Sequence, residues 1–265
     1  MAEPVLIPLG EGEVIGDSAE RRVEILSDDK TLNATLSRFG PHREGANLHV
    51  HRHHTDCFYV LEGELTVRLG LEDDTVAVSA GTLARVPPLV VHGFRNGTDG
   101  EVRYLNFHAP GQRFADYLRA MRDGRSFTYD QHPPPADGGR PVSEAVVGVT
   151  ESVVERAGLH VDLLAAVDEV GISENRCEPA AETDPRHVHR RHVESVYVLA
   201  GELTFALDGR RLTATEGTWV QIPAGVAHEY ACTGGDEARF LELHTPSCGY
   251  GAYLRTLAGF DQELV

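Results

Sequence analysis

Apolar positions along this chain fall in short runs rich in Val, Leu, Thr and aromatics, separated by turn pairs such as Glu62-Gly63, Asn96-Gly97 and Asp208-Gly209. That pattern predicts short antiparallel strands. A parallel α/β sheet needs helices between its strands, and only FADYLRAM (114–121) and YGAYLRTL (250–257) read as helices, each closing a run of strands.

The chain repeats itself. HVHRHHTDCFYVLEGELT, from His49 to Thr66, returns as HVHRRHVESVYVLAGELT from His187 to Thr204, with twelve of eighteen positions identical. The same offset pairs Arg38 with Arg176 and Pro41 with Pro179. After a shorter hairpin it continues through Gly81 and Gly217, Pro87 and Pro223, and His92 and His228 to NFHAP and ELHTP. The fold class expected is all-β, two tandem antiparallel β-barrels with short helices at the domain ends. Proline and glycine crowd QHPPPADGGRP, from Gln131 to Pro141, and end regular structure there. The sequence therefore predicts an N-terminal barrel over 1–130, a connector over 131–141 and a C-terminal barrel over 142–265.

Composition narrows the function. A formal net charge of −17 disfavours nucleic acid or an anionic membrane as partner. No apolar run is long enough for a membrane span, and MAEPVLIPLGEGEVIGDSAE lacks the pattern of a secretory signal, so a cytoplasmic location is expected. Cys57, Cys177, Cys232 and Cys248 form no CxxC pair and are expected to be reduced packing residues.

The fourteen histidines matter for where they fall. Alternate residues of a strand share a face, so His49 with His51, and His187 with His189, project together. A carboxylate follows five residues later, Asp56 or Glu194, on the next strand. The third histidine, His92 or His228, begins a strand after a turn shaped by glycine and proline. Three nitrogens and one oxygen suit a divalent ion, one per barrel: Fe, Mn, Ni or Co by preference, with Zn possible. Asp56 and Glu194 are also the catalytic candidates. The glutamate is longer, so the C-terminal site is expected to be the better metal holder. His53 and His54 are expected to be solvated loop residues.

These motifs resemble those of the cupin superfamily, and the whole chain resembles a bicupin. The first cupin motif is similar to His187, His189, Glu194 and Gly201 and to His49, His51, Asp56 and Gly63. The second is similar to Gly217, Pro223, Gly225 and His228 and to Gly81, Pro87, His92 and Asn96, with Leu89 in place of the motif glycine and Cys232 in place of its asparagine. The resemblance implies a double-stranded β-helix, or jelly roll, in each half. Among bicupins the chain looks most like quercetin-dioxygenase-like proteins, which implies a small-molecule dioxygenase acting on an enol or phenolic substrate.

Two other readings stay open: a metal-dependent isomerase, cyclase or lyase of a polar ketone or sugar acid, and a ligand-binding barrel without turnover. Phe58, Val60, Val196 and Val198 face the interior by alternation, which favours an apolar or aromatic guest but equally describes core. Asn106, His108, Glu242 and His244 are candidate acid/base or supporting groups. Arg38 and Arg176 either grip a substrate anion or lie exposed. A homo-oligomer is possible.

Overall fold

The computed structural model describes residues 3–72, 74–179, 181, 183–207 and 209–265, so Asp208 of the Asp208-Gly209 turn lies outside the described residues. The chain divides into two compact units, one of Glu13–Val149 and the other of Met1–Gly12 with Thr150–Val265. Each unit is a pair of antiparallel sheets.

In the N-terminal unit a seven-stranded sheet runs in the order Val146–Val147, Leu83–Val86, Thr55–Glu62, Val102–Ala109, Asn33–Phe39, Arg21–Asp28, Glu13–Asp17. A three-stranded sheet of Asp74–Ser79, Glu64–Leu69 and His92–Arg95 supplies the other layer. Phe58, Val60, Val86 and Val102 from the large sheet pack with Leu65, Val67 and Leu69 from the small one. The C-terminal unit repeats the plan with Val193–Ala200, Ala238–Thr245 and Gly171–Cys177 at the centre of seven strands, and His228–Cys232 central in a sheet of five. Each unit is a jelly roll of two packed sheets whose hydrogen bonding does not close into a continuous barrel. The expected helices form as α1 (Phe114–Arg122) and α2 (Tyr250–Thr256).

Three sequence expectations need correction. The Pro/Gly-rich segment has little regular structure, but it is not a free connector. His132 exchanges backbone hydrogen bonds with Val50 at 2.9 Å, Arg140 donates to the Leu89 carbonyl, and Val146–Val147 pairs with Leu83–Val86. Backbone groups of His132 and Arg140, and of Val146–Val147 beyond the segment, are thus satisfied on the N-terminal unit. The first strand, Val5–Ile7, pairs with Trp219–Ile222 and so belongs to the C-terminal unit. Cys177 and Cys232 form a disulfide, with Cα atoms 6.2 Å apart, while Cys57 and Cys248 are free. Sequence separation hid this pair, because antiparallel pairing brings the end of one strand beside another distant in the chain.

Candidate metal centres

A single backbone pairing seeds each centre. His49 and His92 exchange N–H···O bonds of 2.8 and 2.9 Å, and His187 pairs with His228 in the same way. Directly opposed residues place their side chains close together. His51 and His189, two residues on from His49 and His187, add their rings on the same side.

All six rings are oriented alike. Nδ1 of His49, His51 and His92 donates to the carbonyls of Asn47, Asp130 and Val90. Nδ1 of His187, His189 and His228 donates to those of Pro185, Asp261 and Val226. This fixes the tautomer and leaves each Nε2 with a lone pair. The Nε2 atoms of His49 and His51 face each other at 3.1 Å, and those of His187 and His189 at 3.2 Å. Lone pairs held this close repel unless a cation lies between them.

The carboxylates differ. Glu194 brings Oε2 to 2.9 Å from His189 Nε2 and 2.8 Å from His228 Nε2. Its Oε1 is buried with no hydrogen-bond partner. A buried orphan acceptor beside three converging nitrogens fits a divalent ion. His187, His189, Glu194 and His228 all lie within ligating reach of one point. Burial works to raise the Glu194 pKa, but the adjacent His228 and His189 outweigh it and hold the carboxyl well below its usual range. His228 is disfavoured by burial as a cation, yet Glu194 raises it overall.

In the N-terminal unit His49, His51 and His92 converge likewise. Asp56 stands back, with Oδ2 3.4 Å from His92 Nε2 and 3.6 Å from His51 Nε2. Its Oδ1 accepts a hydrogen bond from Asn106 Nδ2. Burial opposes the charged form of Asp56, but His108, His51 and His92 hold its pKa well below normal. Burial, reinforced by His92 and His51, lowers His49 to about 2, so that ring is a neutral donor.

Behind each centre runs a hydrogen-bonded array that sequence reading only half identified. In the C-terminal unit Asp261 accepts from His192 Nδ1 at 3.1 Å, so His192 Nε2 accepts from His244 Nδ1 at 2.9 Å. His244 Nε2 must then accept from Glu242, 3.0 Å away, which requires Glu242 to be protonated. Burial and the nearby Glu194 charge independently raise the Glu242 pKa well above normal.

In the N-terminal unit Asn106 donates to Asp56, so its Oδ1 accepts from His108 Nε2 at 2.9 Å. His108 Nδ1 bonds the Tyr129 hydroxyl, Tyr129 bonds His54 Nε2 at 2.9 Å, and His54 bonds Asp130 at 3.0 Å. His53 is exposed, as expected, but His54 is fully buried. Its partners, Tyr129 and Asp130, come from a segment read as the end of the domain, so no local spacing pointed to them.

The cavities of the two units differ. A cavity of about 300 Å³ in the N-terminal unit is lined by His49, His51 and Asp56 together with aromatics such as Phe94, Phe114 and Tyr129. Phe58 and Val60 pack in the core, as do Val196 and Val198. A cavity of about 120 Å³ in the C-terminal unit opens onto Glu242, Tyr230 and Tyr250. Arg38 and Arg176 do not serve either site: Arg38 pairs with Glu101 at 2.8 Å and Arg176 with Asp162 at 3.4 Å.

Two tandem jelly rolls, each gathering three imidazoles that could hold a metal ion beside a carboxylate, define the class of this protein. The Cupin domain family matches residues 35–108 and 176–244, more than half of the chain, and the chain belongs to the cupin superfamily as a bicupin. Quercetin 2,3-dioxygenase of Bacillus subtilis (strain 168) is 29% identical over 96 residues, which cover 36% of this chain and 28% of that protein. The chain thus aligns with little more than a quarter of that relative's length. Two single-residue mutants of Bacillus subtilis oxalate decarboxylase are similar in fold, each with a TM-score of 0.63 over 91% of this chain and 76% of theirs, at 16% and 14% identity. No helix among the described residues is long and apolar enough to cross a membrane.

Proposed function

We propose that this bicupin is a metal-dependent enzyme, a dioxygenase of an enol or phenolic small molecule, with its reaction in the N-terminal unit. The observation that carries this reading is the aromatic-walled cavity that ends on His49, His51 and Asp56. Similarity to quercetin 2,3-dioxygenase supports it at the level of activity.

His49, His51 and His92 with Asp56 would hold one ion, and His187, His189 and His228 with Glu194 the other. A bound Fe, Mn, Ni or Co ion supplies Lewis acidity toward an enol or phenol oxygen and access to dioxygen chemistry. The protein's own residues do the rest. Phe94, Phe114 and Tyr129 enclose an aromatic guest and exclude water. Asp56, drawn toward Asn106, is the carboxylate placed to take a substrate hydroxyl proton at Oδ2, while the His108–Tyr129–His54 array fixes Asn106. In the C-terminal unit the tighter four-donor set and smaller cavity favour a site that holds its ion without turning over substrate.

Oxygen uptake by iron-, manganese-, nickel- or cobalt-loaded protein against a panel of flavonols, enols and catechols tests this. Turnover that persists without oxygen, or with zinc alone, would replace the dioxygenase with an isomerase, cyclase or lyase.

A further inference from the structure

Arg21 is the one arginine or lysine among the described residues that wall the N-terminal cavity. It begins the strand Arg21–Asp28 and pairs with Phe39 across the sheet. Its guanidinium carbon lies 5.4 Å from the centre of the Phe39 ring, a cation–π arrangement on a cavity wall. Its Nε is buried without a hydrogen-bond partner. The arginines on the opposite face of the same strands are neutralised: Arg22 pairs with Asp17 and Glu24, and Arg38 with Glu101. The matching residue of the other unit, which begins the strand Leu159–Ala166 and pairs with Cys177, is Leu159. A positive charge at this place belongs to the N-terminal cavity only.

The buried Nε has no acceptor among the described residues, which is costly, and the cavity leaves the partly buried guanidinium facing a guest. We propose that Arg21 binds the carboxylate of an elongated aromatic or enol acid whose hydroxyl end lies at His49, His51 and Asp56; this rests on the enol or phenol reading above. The register sets the length. Phe39 pairs with Val102 and Asp56 with His108, and from Val102 to His108 is roughly 20 Å of strand before the reach of the side chains is subtracted. A two-carbon dicarboxylate cannot bridge that gap. A ring with a short acidic arm can, with the ring on Phe39 and Phe94 and the acid on the fork of Arg21, whose planar donors match a carboxylate.

Calorimetric titration under anaerobic conditions tests the assignment, with 4-hydroxycinnamate and its amide as probes on the full chain, metal-loaded and metal-stripped. The acid should bind wild type more tightly than the amide. R21Q should weaken the acid by roughly tenfold or more and leave the amide unchanged, since hydrogen bonds to charged groups are among the stronger ones. R21K should restore part of the difference. Equal affinity of acid and amide for wild type, an unchanged acid affinity in R21Q, or no binding of the acid at millimolar concentration would overturn the proposal. A charge preference that survives while oxygen uptake fails on every substrate would sink the dioxygenase reading alone. Oxygen uptake that survives with no charge preference would sink only the role of Arg21.

Discussion

Asn96 donates its side-chain amide to the carbonyl of Phe39 at 3.2 Å, and at the two matching positions of the other unit Cys232 is joined to Cys177 by a disulfide. The same junction, between the strand begun by the third histidine and the end of an inner strand, is closed by hydrogen bonds in one unit and covalently in the other. The motif asparagine and its cysteine replacement do the same mechanical work.

Cleaving that bond should therefore destabilise the C-terminal unit selectively. The pair closes a loop of 55 residues, and removing such a link by C177S typically costs about 2–4 kcal/mol. Thiol reductant should shift the wild-type denaturation midpoint to that of C177S without further change in the variant. A midpoint indifferent to reductant would mean that no disulfide forms.

N96A is the counterpart in the other unit. The Asn96 amide also serves the carbonyls of Gly40 at 2.8 Å and Gly100 at 2.7 Å, and the side chain is fully buried. Removing it leaves buried acceptors short of a donor, at a cost of about 1–3 kcal/mol. The loss should appear in the unfolding of the N-terminal unit and be independent of reductant.

The two carboxylates predict different metal retention. Glu194 reaches within 2.9 Å of two imidazole nitrogens, whereas Asp56 stops at 3.4 Å and is held back by Asn106. After chelator treatment the ion remaining should be that of the C-terminal unit. E194A should lower the metal count by one per chain, and D56E should leave the N-terminal ion in place or tighten it. Elemental analysis after dialysis decides; two ions retained in E194A would remove Glu194 from the ligand set, and metal lost in D56E would mean the geometry is set for aspartate.

How much of this was legible beforehand follows from the range of each signal. The residues His49, His51, Asp56 and His92, with their C-terminal counterparts, were readable because duplication printed the spacing twice and strand alternation gives a side chain's face. The all-β antiparallel class followed from short apolar runs with turn residues between them, and the jelly roll from the cupin resemblance. What stayed hidden depends on pairing between distant segments. Tyr129 and Asp130 reach His54 across more than seventy positions, the Val5–Ile7 strand joins the far unit, and the cysteines meet only once two strand ends are adjacent. Arg38 was the arginine that repeat symmetry singled out; Arg21, which has no counterpart in the repeat, is the one that walls the cavity.

Asn106 sits between Asp56 and His108, so it orients the carboxylate proposed as a metal ligand without being a ligand candidate itself. N106A should weaken metal binding in the N-terminal unit by about 10–100-fold, the usual cost of losing such a supporting partner. Y129F acts two hydrogen bonds further back and should weaken it less. Competition with a fluorescent chelator measures both, and equal losses in the two variants would mean that the array does not act through Asn106.

Glu242 carries a pH dependence whose sign is fixed by its raised pKa. Burial, then the charge of Glu194, push it well above the ordinary carboxyl value of 4.5, so folding takes up a proton over the interval between the unfolded and folded values. Its contribution is fully present below about pH 4.5 and is lost as pH rises through the folded value. E242Q keeps a donor for His244 Nε2 and cannot ionise. In metal-free protein the two should therefore unfold at similar temperatures near pH 4.5, and the variant should become progressively more stable than wild type toward about pH 8. Thermal melts across that range read the difference directly. A constant gap between the two curves would show that Glu242 titrates alike in the folded and unfolded chains, and the proton assigned to its bond with His244 would then have to come from elsewhere.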